Sequence, residues 1–232
     1  MAISVDNVYQ KVLALANKEQ RGYITPQEFN LFADQVQMEI FEQYFYDVEQ
    51  FERRVGRDIV EQLERKIQIF KESPVVLTSW SVGTSLPANT YQIEDVWLSW
   101  NDGRRAVIGR VNRKEVQGIK SGPLLNTPLS PCYYVYQNKL YLVAAPSDDG
   151  IAYMNLIRKP VKPNWTYVIN PTNQSALYNP NAENQQDFEL HISEEPKLVI
   201  KILQLAGVNM KDYNLAQLAG QKEASVKQQE KQ

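Results

Sequence analysis

TPQEFNLFADQVQMEIFEQYFYDVEQFERRV, residues 25–55, decides the fold because it predicts one long helix. Its first four residues form a capping box. In this arrangement the Thr25 hydroxyl accepts a hydrogen bond from the amide of residue 28, and the Glu28 carboxylate accepts one from the amide of residue 25. Pro26 occupies the first helical position, where its missing N–H costs nothing. The predicted helix continues for about 29 residues, roughly 45 Å at 1.5 Å per residue.

This helix is apolar on more than one side. It carries five of the seven phenylalanines of the chain. One broad face comprises Phe29, Phe32, Ala33, Val36, Ile40, Tyr44, Val48 and Phe51. Leu31, Met38, Phe41 and Phe45 form a second stripe, and Tyr46 points elsewhere. Such a helix is either central in a four-helix bundle or shared with another chain. On the second interpretation, these last five residues form a subunit interface.

Around this helix the chain divides into three blocks. Residues 1–74 and 186–232 show helical periodicity, and residues 75–185 are rich in β-branched and aromatic residues bounded by turn residues. We expect an α+β fold, in which the two ends form a helical bundle and a mostly antiparallel β domain is inserted between them. Residues 159–185 are a Pro- and Asn-rich connection within that insertion.

Local signals place the remaining elements. Helices are expected over residues 4–17 and 57–71, and NRKEVQG, residues 112–118, predicts a short helix. Two hairpins are expected, with turns at residues 101–103 and 137–139. Residues 188–192 alternate like a short strand. Ser193 is the expected N-cap of a late helix that ends at Gly207.

Composition narrows the classes of function. The 232 residues are 43% hydrophobic, and the net charge of −2 argues against a protein built around a strong field for nucleic acid or membrane. The single cysteine excludes an intramolecular disulfide. The N-terminus has no signal-peptide pattern, and we expect no membrane span and synthesis in a reducing cytoplasm.

Catalytic constellations are weak throughout. His191 is the sole histidine, and Asp187 and Glu189 share its face of the expected strand, but a surface strand explains them better than a metal site. Cys132 has no neighbouring base, and a buried or idle thiol is favoured. The chain has no P-loop, no GxGxxG and no GxSxG. We therefore expect neither an enzyme nor a cofactor.

Basic residues flank two expected strands of the middle block. These are Arg104, Arg105, Arg110 and Arg113. They could contact phosphate or an acidic partner, although a solvated surface is the preferred interpretation.

Three segments resemble one family. They are DNVYQKVLALANK (residues 6–18), TPQEFNLFADQVQMEIFEQYF (25–45) and FELHISEEPKLVIKILQLAGV (188–208). With the order of α, β and α blocks, they resemble head-to-tail connector proteins of short-tailed bacteriophages. These are the adaptor or ring proteins directly below the portal, and the first two segments look most like those of crAss-like phages and their marine relatives.

The resemblance implies a virion structural protein of the neck, assembled in the bacterial host cytoplasm. Its partners would be itself in a ring, commonly twelvefold, the portal protein, the next tail ring, and genomic DNA passing without sequence-specific binding. No membrane is involved. The C-terminal tail, residues 209–232, would dock on the portal or a neighbour through Tyr213, Leu215, Leu218 and Val226.

Three alternatives stay open at this point. One is a different virion part, such as another tail ring or a head-completion protein. The second is a nucleic-acid-binding module that uses the four arginines of the middle block. The third and weakest is a hydrolase without a recognised motif.

Overall fold

The computed structural model describes residues 2–18, 24–52, 57–77, 83–100, 103–121, 131–143, 151–172 and 174–209. The described chain is a mixed α+β protein with five α-helices and ten β-strands, and its sheets are predominantly antiparallel. It divides into two compact units. The discontinuous unit comprises Met1–Ile69 and Pro160–Gln232, and the contiguous unit comprises Phe70–Lys159.

Four of the helices belong to the discontinuous unit. They are α1 (Val5–Lys18), α2 (Pro26–Glu52), α3 (Arg57–Ile67, continued by a 3₁₀ turn at Gln68–Phe70) and α5 (Glu195–Asn209, preceded by a 3₁₀ turn at Ile192–Glu194). Helix α5 contacts both α1 and α2, and α3 contacts α2. The short helix α4 (Val116–Ser121) lies in the contiguous unit, where the sequence predicts it.

The capping box at the start of α2 is confirmed. The Thr25 amide donates to Oε2 of Glu28 at 3.0 Å, and the Glu28 amide donates to Oγ1 of Thr25 at 3.3 Å. The predicted broad face is buried at Phe29, Phe32, Ala33, Val36, Ile40 and Tyr44. These two features, one local and one of packing, define where α2 begins and which side it turns to the core.

The entry to α5 differs from prediction. Ser193 is not its N-cap, because it lies inside the 3₁₀ turn, where His191 Nδ1 accepts a hydrogen bond from the Ser193 amide at 3.3 Å. The strand predicted over residues 188–192 is a single bridge, Phe188 to Ile3. The alternation instead reflects the burial of Phe188 and Leu190. Gly207 does not end α5, which continues to Asn209.

Residues 160–185 pack in the discontinuous unit, whereas the sequence assigned them to the β insertion. The reason is Trp165, which is buried and packs against Tyr9 with the two tilted rings 4.3 Å apart between centroids. Its Nε1 donates to Oδ1 of Asp6 at 2.8 Å, and its amide donates to Oδ1 of Asn30 at 2.8 Å. This anchor ties the antiparallel hairpin of β9 (Tyr167–Ile169) and β10 (Ala176–Tyr178) to α1 and α2.

The contiguous unit holds two four-stranded sheets. The first has the order β1 (Val75–Leu77), β8 (Ile151–Arg158), β3 (Thr90–Ser99) and β4 (Arg105–Val107). The second has the order β2 (Thr84–Ser85), β7 (Lys139–Val143), β6 (Cys132–Tyr136) and β5 (Gly109–Arg110). All neighbouring strands are antiparallel except β5 and β6, which are parallel.

Both predicted hairpins are confirmed. Gln137 and Asn138 connect β6 to β7 with φ values of 46° and 57°, the left-handed pair that a type I′ turn needs. Strands β3 and β4 pair antiparallel, and the Gly103 amide donates to the carbonyl of Trp100 at 3.0 Å. Residues 101 and 102 of that turn lie outside the described residues.

The core of the contiguous unit draws on both of its sheets. Leu77, Val96, Leu98 and Met154 come from the first sheet, Tyr133 and Leu140 from the second, and Ile108 from the crossing between β4 and β5. Because side chains alternate along each strand, the opposite face of the first sheet is left on the outside.

Candidate interaction surfaces

The residues weighed for catalysis have structural partners. Oδ1 of Asp187 accepts from the amide of Val5 at 2.9 Å, and Oε2 of Glu189 accepts from the amide of Val161 at 2.7 Å. Burial raises the pKa of the Cys132 thiol, the opposite of what a nucleophile needs. Within the described residues, no group of three His, Cys, Asp or Glu side chains is arranged to hold a metal ion.

One surface is a stripe along α2. Leu31 is 63% exposed and Tyr46 is 58% exposed, while Met38 and Phe45 are half-buried. Leu31, Met38 and Phe45 are spaced by seven residues and therefore share one line along the helix. We call these three residues, together with Tyr46, which lies to one side of this line, the α2 stripe. It presents apolar side chains over about 22 Å of helix, at 1.5 Å per residue.

Phe41 does not belong to the α2 stripe, and its assignment to the subunit interface is wrong. Its side chain is fully buried in its own chain. Gln37, one turn earlier on the same side, is buried as well, and its Nε2 donates to the carbonyl of Val161 at 2.8 Å while its Oε1 accepts from the amide of Glu189 at 3.1 Å. Segments from the late part of the chain therefore cover this side of α2.

The four candidate arginines are exposed on the contiguous unit. Arg104 lies over the ring of Trp100 (5.4 Å from guanidinium carbon to centroid), Arg105 over Trp97 (5.0 Å) and Arg113 over Tyr136 (3.6 Å). Arg110 is opposite Tyr133 in the β5–β6 pair. Burial raises the pKa of the Tyr133 hydroxyl, and the charge of Arg110 partly offsets that rise.

These arginines come from two places in the contiguous unit. Two belong to the edge of the first sheet and two to β5 and the loop after it. A guanidinium group over an aromatic ring gains a cation–π attraction and keeps its charge, so an exposed one suits contact with an anion.

A second apolar surface is the outside of the first sheet. Its cross-strand pairs run in one row from Val76 to Tyr153, from Tyr153 to Trp97, and from Trp97 to Val107. Trp97 and Tyr153 stack with centroids 4.5 Å apart, and Val76 and Val107 are exposed. We call this row the outer sheet face. Sequence analysis did not single it out, although the alternation in YQIEDVWLSW carries the signal.

Two further apolar features were missed from the sequence, and both lie in the discontinuous unit. The first is the hairpin patch, formed by Val168, Ile169 and Leu177 on β9 and β10. The second is the α1–α5 groove, a cleft of about 490 Å³ lined by Ala14, Leu15, Pro196, Val199 and Ile200. Leu15 is 43% exposed on α1, and its side chain lines this groove.

The predicted docking residues Tyr213, Leu215, Leu218 and Val226 lie outside the described residues. Among the residues that the structure describes, none of the helices is long and apolar enough to cross a membrane. A scan against protein-family models finds no match for the chain, and a search of curated proteins finds no significant match either.

Proposed function

We propose that this chain is a structural subunit of a virion. In this proposal, identical copies form a ring below the portal, connect the capsid to the tail, and line the channel through which DNA leaves. In this proposal the terminal helices form a helical bundle that builds the ring, and the β domain is an insertion in the sequence between them. The protein works by binding rather than by catalysis.

The observation that carries the proposal is the α2 stripe. Monomeric proteins expose single apolar side chains routinely, but a row of large ones along one helix is typical of an interaction site. Leu31 and Tyr46 are both more than half exposed although the same helix buries a broad core face. A helix with one face for its own core and another for a neighbour is what a closed ring requires, because each subunit uses two different patches.

Polar residues border the α2 stripe. Gln35, Glu39 and Glu42 are exposed on α2. Interfaces commonly combine an apolar centre with a polar, hydrated rim. The stripe therefore has the composition of a contact that a subunit makes after it has folded.

The remaining partners follow from the same proposal. The portal and the next tail ring would contact the ends of the ring, with Tyr213, Leu215, Leu218 and Val226 as the candidate portal contacts. Genomic DNA would pass without sequence-specific binding. The mild net charge of −2 agrees with a channel that does not clamp phosphates.

Light scattering on the purified protein, with and without the portal protein of the same virus, tests this proposal. We expect the chain to join portal rings and Leu31→Glu to weaken that association at least about tenfold, since it places a charge in an apolar contact. Gln62→Glu is the matched control, because Gln62 is exposed on α3 and lies outside the α2 stripe and its polar rim. Failure of the unmodified chain to join portal rings would overturn the proposal.

A nucleic-acid-binding module is the second candidate, and the arginine–aromatic pairs favour it. If it is right, the chain binds free DNA with an affinity that falls steeply with salt, and replacing Arg104, Arg105, Arg110 and Arg113 by alanine removes that binding and flattens the salt dependence. If the ring proposal is right, the same fourfold variant still joins portal rings.

A further inference from the structure

The net charge of −2 conceals two stretches of opposite charge. Helix α2, residues 26–52, carries seven acidic residues and no basic one. Residues 104–120 carry six basic residues and a single acidic one, Glu115. Each stretch also exposes a large apolar side chain, so the two combine the components of a protein interface with opposite signs of charge.

Three of the acidic residues of α2 have partners within the chain. Oδ2 of Asp34 lies 3.4 Å from Nζ of Lys162, and Oε1 of Glu39 lies 2.6 Å from Nζ of Lys201. Glu28 accepts hydrogen bonds in the capping box. These carboxylates are therefore stabilised by the folded chain itself.

Glu42 and Glu49 are different, and both lie beside the α2 stripe. They follow Met38 and Phe45 by four positions, so each is next to an apolar residue of the stripe on the same face of the helix. Both are exposed, and neither forms an ion pair with a residue that the structure describes. The α2 stripe is thus an apolar line bordered by two carboxylates about 10 Å apart along the helix.

The basic stretch presents the complementary arrangement where the first sheet ends. Strand β4 passes into β5 with only Ile108 between them, and Ile108 is buried. Val107 is 75% exposed, more than any other large hydrophobic side chain among the described residues. Arg105 lies two positions before it and Arg110 three positions after it, and both are exposed. We call Arg105, Val107 and Arg110 the basic edge.

The two guanidinium groups of the basic edge keep their charge. Arg105 lies 5.0 Å from the centroid of Trp97, and neither arginine forms an ion pair with a described carboxylate. Asp95 belongs to the same sheet but precedes Trp97 by two positions, whereas Ser99, the residue opposite Arg105, follows it by two. The acidic side chain is therefore displaced along β3 from the basic edge.

We propose that the α2 stripe of one copy, with Glu42 and Glu49, packs on the basic edge of the next copy. Val107 lies among the apolar side chains of the stripe, and the two arginines face the two carboxylates. Opposite charges attract while apolar surface is buried on both partners, so the two effects favour the same pairing. The contact is head-to-tail and can propagate around a ring. The inference rests on the proposed ring and identifies the surface that receives the α2 stripe.

The composition of the basic edge favours this occupant over a nucleic acid. Phosphates attract arginine, but they provide no apolar surface to cover Val107. An acidic helix with an apolar stripe matches both components of the edge. The spacing also suits it, because Arg105 and Arg110 are five positions apart, at most about 17 Å, and their long side chains can converge on carboxylates about 10 Å apart.

Charge reversal tests the contact between copies. One variant carries Glu42→Lys and Glu49→Lys, and the other carries Arg105→Glu and Arg110→Glu. Each variant alone places like charges opposite each other, so we expect the concentration that half-saturates portal rings, followed by light scattering, to rise at least about tenfold. In an equal mixture every reversed surface can meet an oppositely charged one. Association should then return to within about threefold of the unmodified chain, which also shows that both variants are folded.

Matched variants separate the local contact from net charge. Glu64→Lys with Glu183→Lys changes the net charge equally at exposed positions outside both surfaces, and should alter association by less than about twofold. Val107→Ser removes the apolar part of the edge without changing charge, and should weaken association about tenfold. Val76→Ser is its control, because Val76 is exposed on the opposite edge strand of the same sheet.

Three results would show that the inference is wrong. The first is a mixture that associates no better than its two components. The second is a reversed variant that joins portal rings as well as the unmodified chain. The third is loss of salt-sensitive binding to free DNA in the Arg105→Glu, Arg110→Glu variant with ring association unchanged, which would assign the basic edge to nucleic acid.

Sedimentation without the portal protein separates this inference from the ring proposal. If the mixture associates and its components do not, while none of the proteins joins portal rings, the contact stands and the ring proposal is wrong. If the unmodified chain joins portal rings and the reversals have no effect there, only the contact is wrong. If the mixture neither associates nor joins portal rings, and the unmodified chain does not join them either, both proposals are wrong.

Discussion

Nζ of Lys66 on α3 lies 2.6 Å from Oε1 of Glu194, whose side chain is almost wholly buried before the start of α5. Lys197 is the next cation, with its Nζ 3.9 Å from Oε2 of the same carboxylate. The Lys66–Glu194 pair joins two helices that are far apart in sequence. The Lys66 ammonium also compensates the buried Glu194 carboxylate, which would destabilise the fold if it had no cation beside it.

Lys66→Met should therefore destabilise the protein by about 3 kcal/mol, because it leaves the buried Glu194 carboxylate with Lys197 alone. Urea unfolding followed by far-ultraviolet circular dichroism measures the change. Arg65→Met is the control, since its ion pair with Glu61 is exposed and should contribute less than about 1 kcal/mol. Equal effects of the two substitutions would contradict the assigned role of Glu194.

Thr25→Ala should cost about 1 kcal/mol, the usual effect of removing a threonine N-cap. The substitution removes the hydroxyl that accepts from the Glu28 amide. Gln27→Ala, in the same first turn and exposed, is expected to be within about 0.5 kcal/mol of the unsubstituted protein. Thermal unfolding compares the three proteins.

The capping box also predicts a pH dependence. Hydrogen bonds from the amide and hydroxyl of Thr25 hold the pKa of Glu28 below its ordinary value. Because the folded pKa is lower than the unfolded one of about 4.3, the carboxylate stabilises the fold above that pH, and this contribution is lost as the pH falls through the folded pKa. The deficit of Glu28→Gln in unfolding free energy should thus shrink on acidification. A deficit that stays constant down to acid pH would show that Glu28 acts without its charge.

Gln37→Leu should destabilise the protein by about 2 kcal/mol although it keeps the size of the side chain. The leucine can neither donate to the carbonyl of Val161 nor accept from the amide of Glu189. These two backbone groups then lose their hydrogen bonds to residue 37, which lowers the free energy of unfolding. Gln35→Leu on the exposed side is the control. Chemical denaturation measures the free energy of unfolding of both variants. Equal values for Gln37→Leu and Gln35→Leu would contradict a stabilising role of the buried Gln37 amide.

Phe41→Ala should lower the stability of the fold, whereas Leu31→Ala should weaken association and leave stability nearly unchanged. Truncation of the buried Phe41 is expected to cost about 3–5 kcal/mol in unfolding free energy, whereas truncation of the exposed Leu31 is expected to change it by less than about 0.5 kcal/mol. Association with portal rings should be weakened by Leu31→Ala at a temperature where both proteins are folded. A stable Phe41→Ala variant that fails to assemble would restore Phe41 to the interface.

Local features of the fold were predictable because short-range chemistry determines them. The capping box at Thr25 and the turn at Gln137 and Asn138 depend on neighbouring residues and appear as expected. The broad face of α2 follows from helical spacing. The alternation of Phe188 and Leu190 was misread as a strand, because burial alone produces the same pattern without a full partner strand.

The surfaces were harder to predict because they depend on what covers a residue from far along the chain. Phe41 and Leu31 are both large and apolar, but Phe41 is buried and Leu31 is exposed, because other parts of the chain cover only one side of α2. The hairpin patch was hidden within a Pro- and Asn-rich stretch whose largest buried side chain among the described residues is Trp165. Periodicity within one helix or strand carries no information about such distant neighbours.

The separation of the discontinuous unit into two stretches of sequence has a consequence for the order in which the chain folds during synthesis. The bridge between Ile3 and Phe188 and the bond from the Val5 amide to Asp187 join distant residues, the latter pair 182 positions apart, so one partner leaves the ribosome long before the other. The contiguous unit is formed by one uninterrupted stretch of sequence, so it can fold as soon as that stretch is synthesised and should become protease-resistant first. On chains stalled before Pro160, α1 and α2 should still be open to cleavage. Protection of α1 on such stalled chains would show that the early helices find temporary partners, and a nascent subunit would then not depend on the segment after residue 159 to cover the apolar face of α2.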